Sequence, residues 1–372
     1  MDEDRSTSKA MTVNPDAPYD LVDGASGEIG AVRKDVEEKF QVAGDLTAPL
    51  SERLEAFGDI IDSEIGDTNI ARARNIEREV GMRQLYLKFE GGNPTGTQKD
   101  RIAFAQVHDA MRRNFDTITL ATCGNYGVAV ALAASMGGLK CNVFIPATYH
   151  TKRIKEIIDL GARIMRVDGD YEYAVQVSRD WAHKNEWYDA NPGGDNTPLQ
   201  LTAYGEIAHE IFDELHDAPA LVAVPVSNGT TLAGIYKGFL SLYRRGKTSR
   251  MPRLVAGSSY GKNPIVAAFL NELETCRDLE PERLRETPVN EPLINWHSLD
   301  GDHALGAIRE TRGWAANASD KAMLQYARVI RDKEGMHVLP ASMAGLIALL
   351  EKHQKDPMPR DRYVVVLTGK KT

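Results

Sequence analysis

From Leu85 onward the chain alternates two patterns. Short apolar runs rich in Val, Ile and Leu, at residues 117–120, 142–145, 163–167, 221–226, 254–256 and 363–367, read as strands. Between them, residues 152–160, 171–185, 201–215 and 322–334 repeat their apolar positions at helical spacing. Strand alternating with helix builds a mostly parallel sheet flanked by helices, so the expected class is α/β. Ligands of such sheets bind beyond the carboxyl ends of the strands, which directs attention to the loop after each strand. Residues 1–16 are charged, Ser/Thr-rich and without apolar periodicity, which predicts a disordered tail. Residues 28–53 are uneven and read as an arm packed on the outside.

At 372 residues the chain is about twice the usual single-domain length, so two domains are expected. Lys+Arg 45 against Asp+Glu 53 gives a net charge of -8, which lacks the basic footprint that a nucleic-acid partner needs. Cys123, Cys141 and Cys276 are too few and too scattered for a disulfide framework or a zinc site, and they fit a reducing cytoplasm. No stretch approaches the roughly 20 apolar residues of a membrane span. The polar, acidic start MDEDRSTSKAM is unlike a secretory signal.

Four segments carry candidate chemistry. Thr122-Cys123-Gly124-Asn125-Tyr126-Gly127 runs into an apolar helix whose first N–H groups can bind a carboxylate; a plain strand-to-helix turn has the same pattern. Ser227-Asn228-Gly229-Thr230-Thr231 sets small residues and hydroxyls at a helix start after a buried strand, as a phosphate cradle does. Thr368 brings a hydroxyl to the end of the last strand. In EGGNPTGTQKDRIAF, residues 90–104, Lys99 opens a helix, where the helix dipole favours negative charge. A covalent partner for its amine would explain that position. An aldehyde cofactor with a phosphate and a ring nitrogen needs an amine, phosphate donors, a group for its ring hydroxyl and a partner for its ring nitrogen. Lys99, residues 227–231, Asn125 and Thr368 are such a set.

These residues resemble the fold-type II pyridoxal-phosphate enzymes (the tryptophan synthase β-like fold), and within them the threonine synthase family. The resemblance covers residues 66–372. It rests on the ordered set Gly66-Asp-Thr-Asn-Ile70, Leu85-Tyr-Leu-Lys-Phe-Glu90, Asn93-Pro-Thr-Gly96, Lys99-Asp-Arg101, Pro225-Val-Ser-Asn-Gly229, Tyr236-Lys-Gly-Phe239, Ser249-Arg-Met-Pro-Arg-Leu254, Leu339-Pro-Ala-Ser-Met-Ala-Gly345 and Leu367-Thr-Gly369. It implies pyridoxal 5'-phosphate as cofactor and Lys99 as the Schiff-base and proton-transferring residue. Asn125 would then meet the ring hydroxyl, Ser227, Asn228, Gly229, Thr230 and Thr231 the phosphate, and Thr368 the ring nitrogen. Thr122, Cys123, Gly124 and Tyr126 would grip the substrate, and no metal is implied. It further implies a large cofactor-binding domain of residues 17–110 plus 200–372, a small mobile domain of residues 111–199, and a homodimer.

The implied activity is elimination or replacement at Cβ or Cγ of an amino acid, a lyase-type step of amino-acid biosynthesis, with O-phosphohomoserine as first candidate. Two departures bear on it. The family's STGNTS reads Thr122-Cys-Gly-Asn-Tyr-Gly127 here, and no Arg follows Asn191-Pro192, so groups that would hold a substrate phosphate are missing. The basic residues His150, Lys152, Arg153 and Lys155 could replace them, although a solvated helix face is the commoner meaning. Gln98 stands where the family tends to have an aromatic residue. β-Replacement or β-elimination on serine, O-phosphoserine or threonine is the alternative, and a non-catalytic cofactor-binding regulator a more distant one. Three decoys carry blander readings: the glycine-rich turn at residues 24–30 lacks a strand before it, Asp300-Gly-Asp-His303 reads as a polar turn, and Cys123 as a small apolar residue.

Overall fold

The computed structural model describes residues 29–122, 124–147 and 153–371, with side chains from Val36 onward. The expected tail at 1–16 and residues 24–28 of the glycine-rich turn lie outside the described residues. The chain opens with α1 (Ile29–Gly44), α2 (Leu50–Glu64), β1 (Ile70–Arg72), α3 (Arg74–Val80) and β2 (Leu85–Phe89). There follow α4 (Lys99–Arg112), β3 (Thr117–Ala121), α5 (Asn125–Met136), β4 (Lys140–Pro146), α6 (Arg153–Asp159), β5 (Arg163–Val167), α7 (Tyr171–Asn185) and β6 (Tyr188–Asp189). The rest is α8 (Thr197–Leu215), β7 (Leu221–Pro225), α9 (Thr230–Arg244), β8 (Arg253–Ser259), α10 (Pro264–Leu270), α11 (Gly301–Glu310), β9 (Trp314–Ala318), α12 (Asp320–Glu334), α13 (Met343–Lys355) and β10 (Tyr363–Leu367).

The chain divides into two compact units, Met1–Ile65 with Ala103–Asn191, and Gly66–Ile102 with Pro192–Thr372. In the second unit the sheet order is β1-β2-β10-β7-β8-β9, parallel except for β1 against β2. Its central strand β10, Tyr-Val-Val-Val-Leu, is buried along its whole length, as expected of a parallel strand covered on both faces. Helix α13 covers one face and is apolar all round from Met343 to Leu350, so it packs inside the unit. Helices α8 and α9 cross in contact: a Cβ on Gly238 would stand 2.4 Å from the Gly205 carbonyl oxygen, so only glycine permits that approach.

The first unit has the all-parallel sheet β5-β4-β3-β6. Its helix α5 is apolar on every side and buried from Tyr126 to Ala134. Residues 29–64, expected to include an outer arm, are instead two helices that belong to this unit's core. Val36, Phe40 and Ala43 of α1 and Ala56, Phe57 and Ile60 of α2 are buried, and Phe57 stacks on Phe104 of α4 at 5.7 Å. Arg53 donates to the carbonyls of Ala43 (3.0 Å) and Gly137 (2.8 Å), tying α2 to α1 and to the end of α5. The unit bounds therefore differ from the expected 17–110 and 111–199, because α1, α2 and the body of α4 pack with the sheet of β3.

Candidate active site

In the second unit, β2, β10 and β7 are parallel neighbours with Leu367 in register with Phe89. The segments that follow Phe89, Leu367 and Pro225 therefore leave the same edge of the sheet. Backbone bonds join two of them: Gln98 N–H donates to Thr368 O at 3.0 Å and Lys370 N–H to Gly96 O at 2.8 Å. The Asn-Pro-Thr-Gly turn is fixed by Asp100, whose carboxylate accepts from Thr95 N (2.8 Å) and Thr95 Oγ1 (2.7 Å). Asp100 is also the first-turn anion that the dipole of α4 favours, which lets a lysine sit ahead of it.

Arg101 fixes the same turn from below. Its guanidinium donates Nε (2.6 Å) and Nη2 (2.9 Å) to Glu90, and Nη1 (2.6 Å) and Nη2 (2.8 Å) to Glu210 of α8. Glu210 also accepts from Lys88 and from the N–H groups of Asp67 and Thr68. Burial alone would raise the Glu210 pKa, but the hydrogen bonds and charges of Arg101 and Lys88 outweigh it and hold the carboxyl at about 2.

Lys99 is half-buried. The protein packed around its ammonium lowers its pKa to about 8, against the opposing pull of the Asp300 carboxylate. Asp300 accepts from Thr230 Oγ1 at 2.5 Å and lies 3.4 Å from Thr197 Oγ1. The structure thus gathers Lys99, Thr368 and Thr230 in one unit. Thr368 Oγ1 lies 3.0 Å from Ser342 Oγ, both buried, so a pair of neutral hydroxyls stands at the end of β10.

The loop of residues 227–229 enters α9 through Gly229 at φ +94°, where a Cβ would meet Ala304 and the Asp300 carbonyl. Asn228 Oδ1 accepts from Asn295 Nδ2 (3.0 Å), and Asn263 Nδ2 donates to Ser227 O (2.9 Å). No side chain caps α9. The Tyr204 hydroxyl, buried beside Thr231, faces it without a hydrogen bond of good geometry.

Thr122, Gly124, Asn125 and Tyr126 stand together in the first unit, at the end of β3 and the start of α5; Cys123 lies outside the described residues. Gly124 N–H donates to Thr122 Oγ1 at 3.2 Å, and no side chain caps α5. The Tyr126 ring is buried, with its hydroxyl donating to Ala190 O at 2.6 Å and accepting from Gln106, so its bulk is turned inside. Of the basic residues considered above, Arg153 is paired with Glu156 at 2.5 Å and Lys155 is exposed, while His150 and Lys152 lie outside the described residues. Among the described residues no three His, Cys, Asp or Glu side chains converge as metal ligands.

Sequence reasoning passed over two residues here. Asp300 looked like an ordinary polar turn because its partner Thr230 is 70 positions away. Ser342 had a signal, since it lies within Leu339-Pro-Ala-Ser-Met-Ala-Gly345, but nothing local connects it to Thr368.

Residues 61–369 match the family model described as pyridoxal-phosphate dependent enzyme. The chain belongs to this family, which fixes pyridoxal 5'-phosphate as its cofactor and the fold as type II. Among curated relatives, the threonine synthase of Methanocaldococcus jannaschii is 29% identical over 305 residues, 82% of this chain and 74% of that one. The threonine synthase of Bacillus sp. (strain ULM1) is 29% identical over 308 residues, 82% of each. Among solved structures, maize serine racemase has a TM-score of 0.71 at 17% identity, covering 86% of this chain and 92% of that one. A threonine deaminase from T.th. has a TM-score of 0.70 at 20% identity, covering 86% and 97%. No helix among the described residues is long and apolar enough to cross a membrane.

The second unit's residues fit the phosphate of this cofactor on their own geometry. Gly229 lets the chain turn against Ala304 and the Asp300 carbonyl into α9, α9 offers uncapped N–H groups, and the Tyr204 hydroxyl beside Thr231 has an unmet hydrogen bond.

Proposed function

We propose that this chain catalyses elimination or replacement at Cβ or Cγ of an amino acid, with threonine formation from O-phosphohomoserine as the first reaction to test. One observation carries this reading: a single unit holds both a lysine whose pKa burial lowers to about 8 and the neutral hydroxyl pair Thr368–Ser342. Bound pyridoxal phosphate supplies the electron sink that stabilises charge at the substrate Cα. Lys99 Nζ anchors it and, near its pKa, can both take the substrate α-proton and return it. Ser227, Asn228, Gly229, Thr230 and Thr231 hold the phosphate, largely through the uncapped N–H groups of α9. A hydroxyl at Thr368, unlike a carboxylate, does not enforce protonation of the ring nitrogen, which favours side-chain chemistry over transamination. The family resemblance assigns Asn125 to the ring hydroxyl and Thr122, Cys123, Gly124 and Tyr126 to the substrate.

A second reading, β-elimination or β-replacement on serine, O-phosphoserine or threonine, is favoured by the loop after Asn191-Pro192. It offers no cation, and Thr197 and the Gly193 N–H are turned to Asp300. The holoprotein incubated separately with these substrates and with O-phosphohomoserine decides by product analysis. Threonine from O-phosphohomoserine supports the first reading; turnover of serine derivatives or threonine alone replaces it with the second. A bound cofactor whose spectrum responds to none of them identifies a binding-only protein. Lys99→Ala is expected to abolish turnover and the cofactor adduct trapped by borohydride, and an adduct that survives removes Lys99 from its role. A homodimer in the cytoplasm is expected, checked by light scattering and cell fractionation.

A further inference from the structure

Asp300 is the N-cap residue of α11, and aspartate there ordinarily accepts from its own helix's first N–H groups. It makes no such bond. The residue is 2% exposed, and its carboxylate is turned instead to the Thr230 hydroxyl of α9, at 2.5 Å. Its N–H donates to Asn228 O at 3.0 Å, so backbone and side chain both brace the residues 227–231 loop.

This arrangement conflicts with a phosphate at the same loop. Thr230 has one hydroxyl hydrogen, and an ionised carboxylate and a phosphate are both pure acceptors. While Asp300 is ionised it holds that hydrogen, and the phosphate meets a lone pair and a neighbouring negative charge. We propose that Asp300 is a positioning residue for the cofactor that takes up a proton as the phosphate docks at α9. The proton comes from solvent and goes to the Asp300 carboxyl. The carboxyl then donates to Thr230 Oγ1, and the Thr230 hydrogen turns to a phosphate oxygen. No covalent bond other than the new O–H forms or breaks.

Two features lean the same way. Burial already raises the Asp300 pKa, against the hydrogen bonds of Thr230 and Thr197 and the charge of His303, and a phosphate beside it raises the pKa further. The titratable groups acting on Asp300 are Lys99 of α4 and His303 of its own helix; α9 and the residues 193–197 loop present hydroxyls and the Gly193 N–H. Protonating Asp300 also removes a charge that favours the Lys99 ammonium, so one proton acts on the phosphate loop and the amine together.

The inference rests on the phosphate lying at residues 227–231, and the test separates the two. Apoprotein is titrated calorimetrically with pyridoxine 5'-phosphate, which has no aldehyde, in buffers of unlike ionisation heat at about pH 8. Wild type is expected to take up about one proton more per site than Asp300→Asn. As pH rises, the wild-type affinity should fall up to about tenfold per pH unit relative to the variant, whose amide always donates to Thr230. Equal proton counts with parallel pH profiles overturn the switch. If unphosphorylated pyridoxine binds as tightly as its phosphate, the phosphate placement is wrong and the switch goes with it. Should Asp300→Asn not fold, wild type alone suffices. Its preference for the phosphate ester over pyridoxine must shrink from about pH 6 to about pH 9, and a preference that grows overturns the proposal.

Discussion

The two units hold the loops at the ends of their strands by different means. In the second unit the turn before Lys99 and the loop before α9 are fixed by carboxyl and guanidinium groups: Asp100 on Thr95, Arg101 between Glu90 and Glu210, and Asp300 on Thr230. In the first unit the groups that touch the loop before α5 are neutral, with the Asp189 carboxylate one step behind, accepting from Asn191 Nδ2 at 2.6 Å. Asn191 Oδ1 accepts from Ala121 N at 2.7 Å, and Tyr126 lies between Gln106 and the Ala190 carbonyl. Charge-held loops are rigid but intolerant of losing one partner, because the other is left as an uncompensated buried ion. Neutral ties lose less and do not respond to pH. The loops of the unit that carries Lys99 are therefore the ones held directly by charge.

The largest expected effect comes from breaking the charged side of this contrast. Arg101→Leu strands Glu90 and leaves Glu210 with Lys88 as its one cation, and urea unfolding should show a loss of about 3–5 kcal/mol. A loss below ~1 kcal/mol would mean that the network does not hold the turn. Next comes acid. Glu210 sits at about 2 against an ordinary 4.5, so its contribution is complete above the unfolded value and disappears as pH falls through the folded one. Stability should drop by about 2–3 kcal/mol from this residue between about pH 5 and about pH 2, and Glu210→Gln, weaker at neutral pH, should show a smaller acid loss.

On the neutral side, Tyr126→Phe removes the hydroxyl that bonds the Ala190 carbonyl and Gln106, a loss of about 1–3 kcal/mol that stays constant over the same pH range. A pH-dependent loss would erase the distinction between the units. The smallest effect is Ser342→Ala, which removes one buried hydroxyl from Thr368; thermal unfolding should register about 1 kcal/mol.

Much of the fold was legible because parallel strands buried on both faces leave unmistakable runs, such as Val364-Val-Val366 and the residues of β7. Strand β9, Trp-Ala-Ala-Asn-Ala, escaped because its small and polar residues, most of them only partly buried, do not spell a strand. Helices α1 and α2 escaped for another reason. Their charged outer faces dilute the apolar stripe of Val36, Phe40, Phe57 and Ile60, so the segment read as an arm. At the site, Lys99 and the Gly229 loop announced themselves through local turn chemistry, whereas Asp300 and Ser342 matter only through partners distant in sequence. Tyr126 shows the converse limit: its position was plain, but the direction of its ring depended on Gln106 and Ala190.

Lys88 has a consequence for how the second unit's sheet assembles. It is the one charged residue of β2, paired in register with Val366 and Ile70, and its ammonium reaches Glu210 and the Thr68 carbonyl. The flanking Leu85 and Leu87 point the other way, into the hydrocarbon cluster with Val365 and Leu346. Sliding β2 by a single position would exchange the faces and drive the ammonium into that hydrocarbon, several kcal/mol uphill. One cation thereby marks the reading frame of the sheet: a residue gained or lost inside Leu85–Phe89 is forbidden, while the turn at residues 81–84 can absorb it.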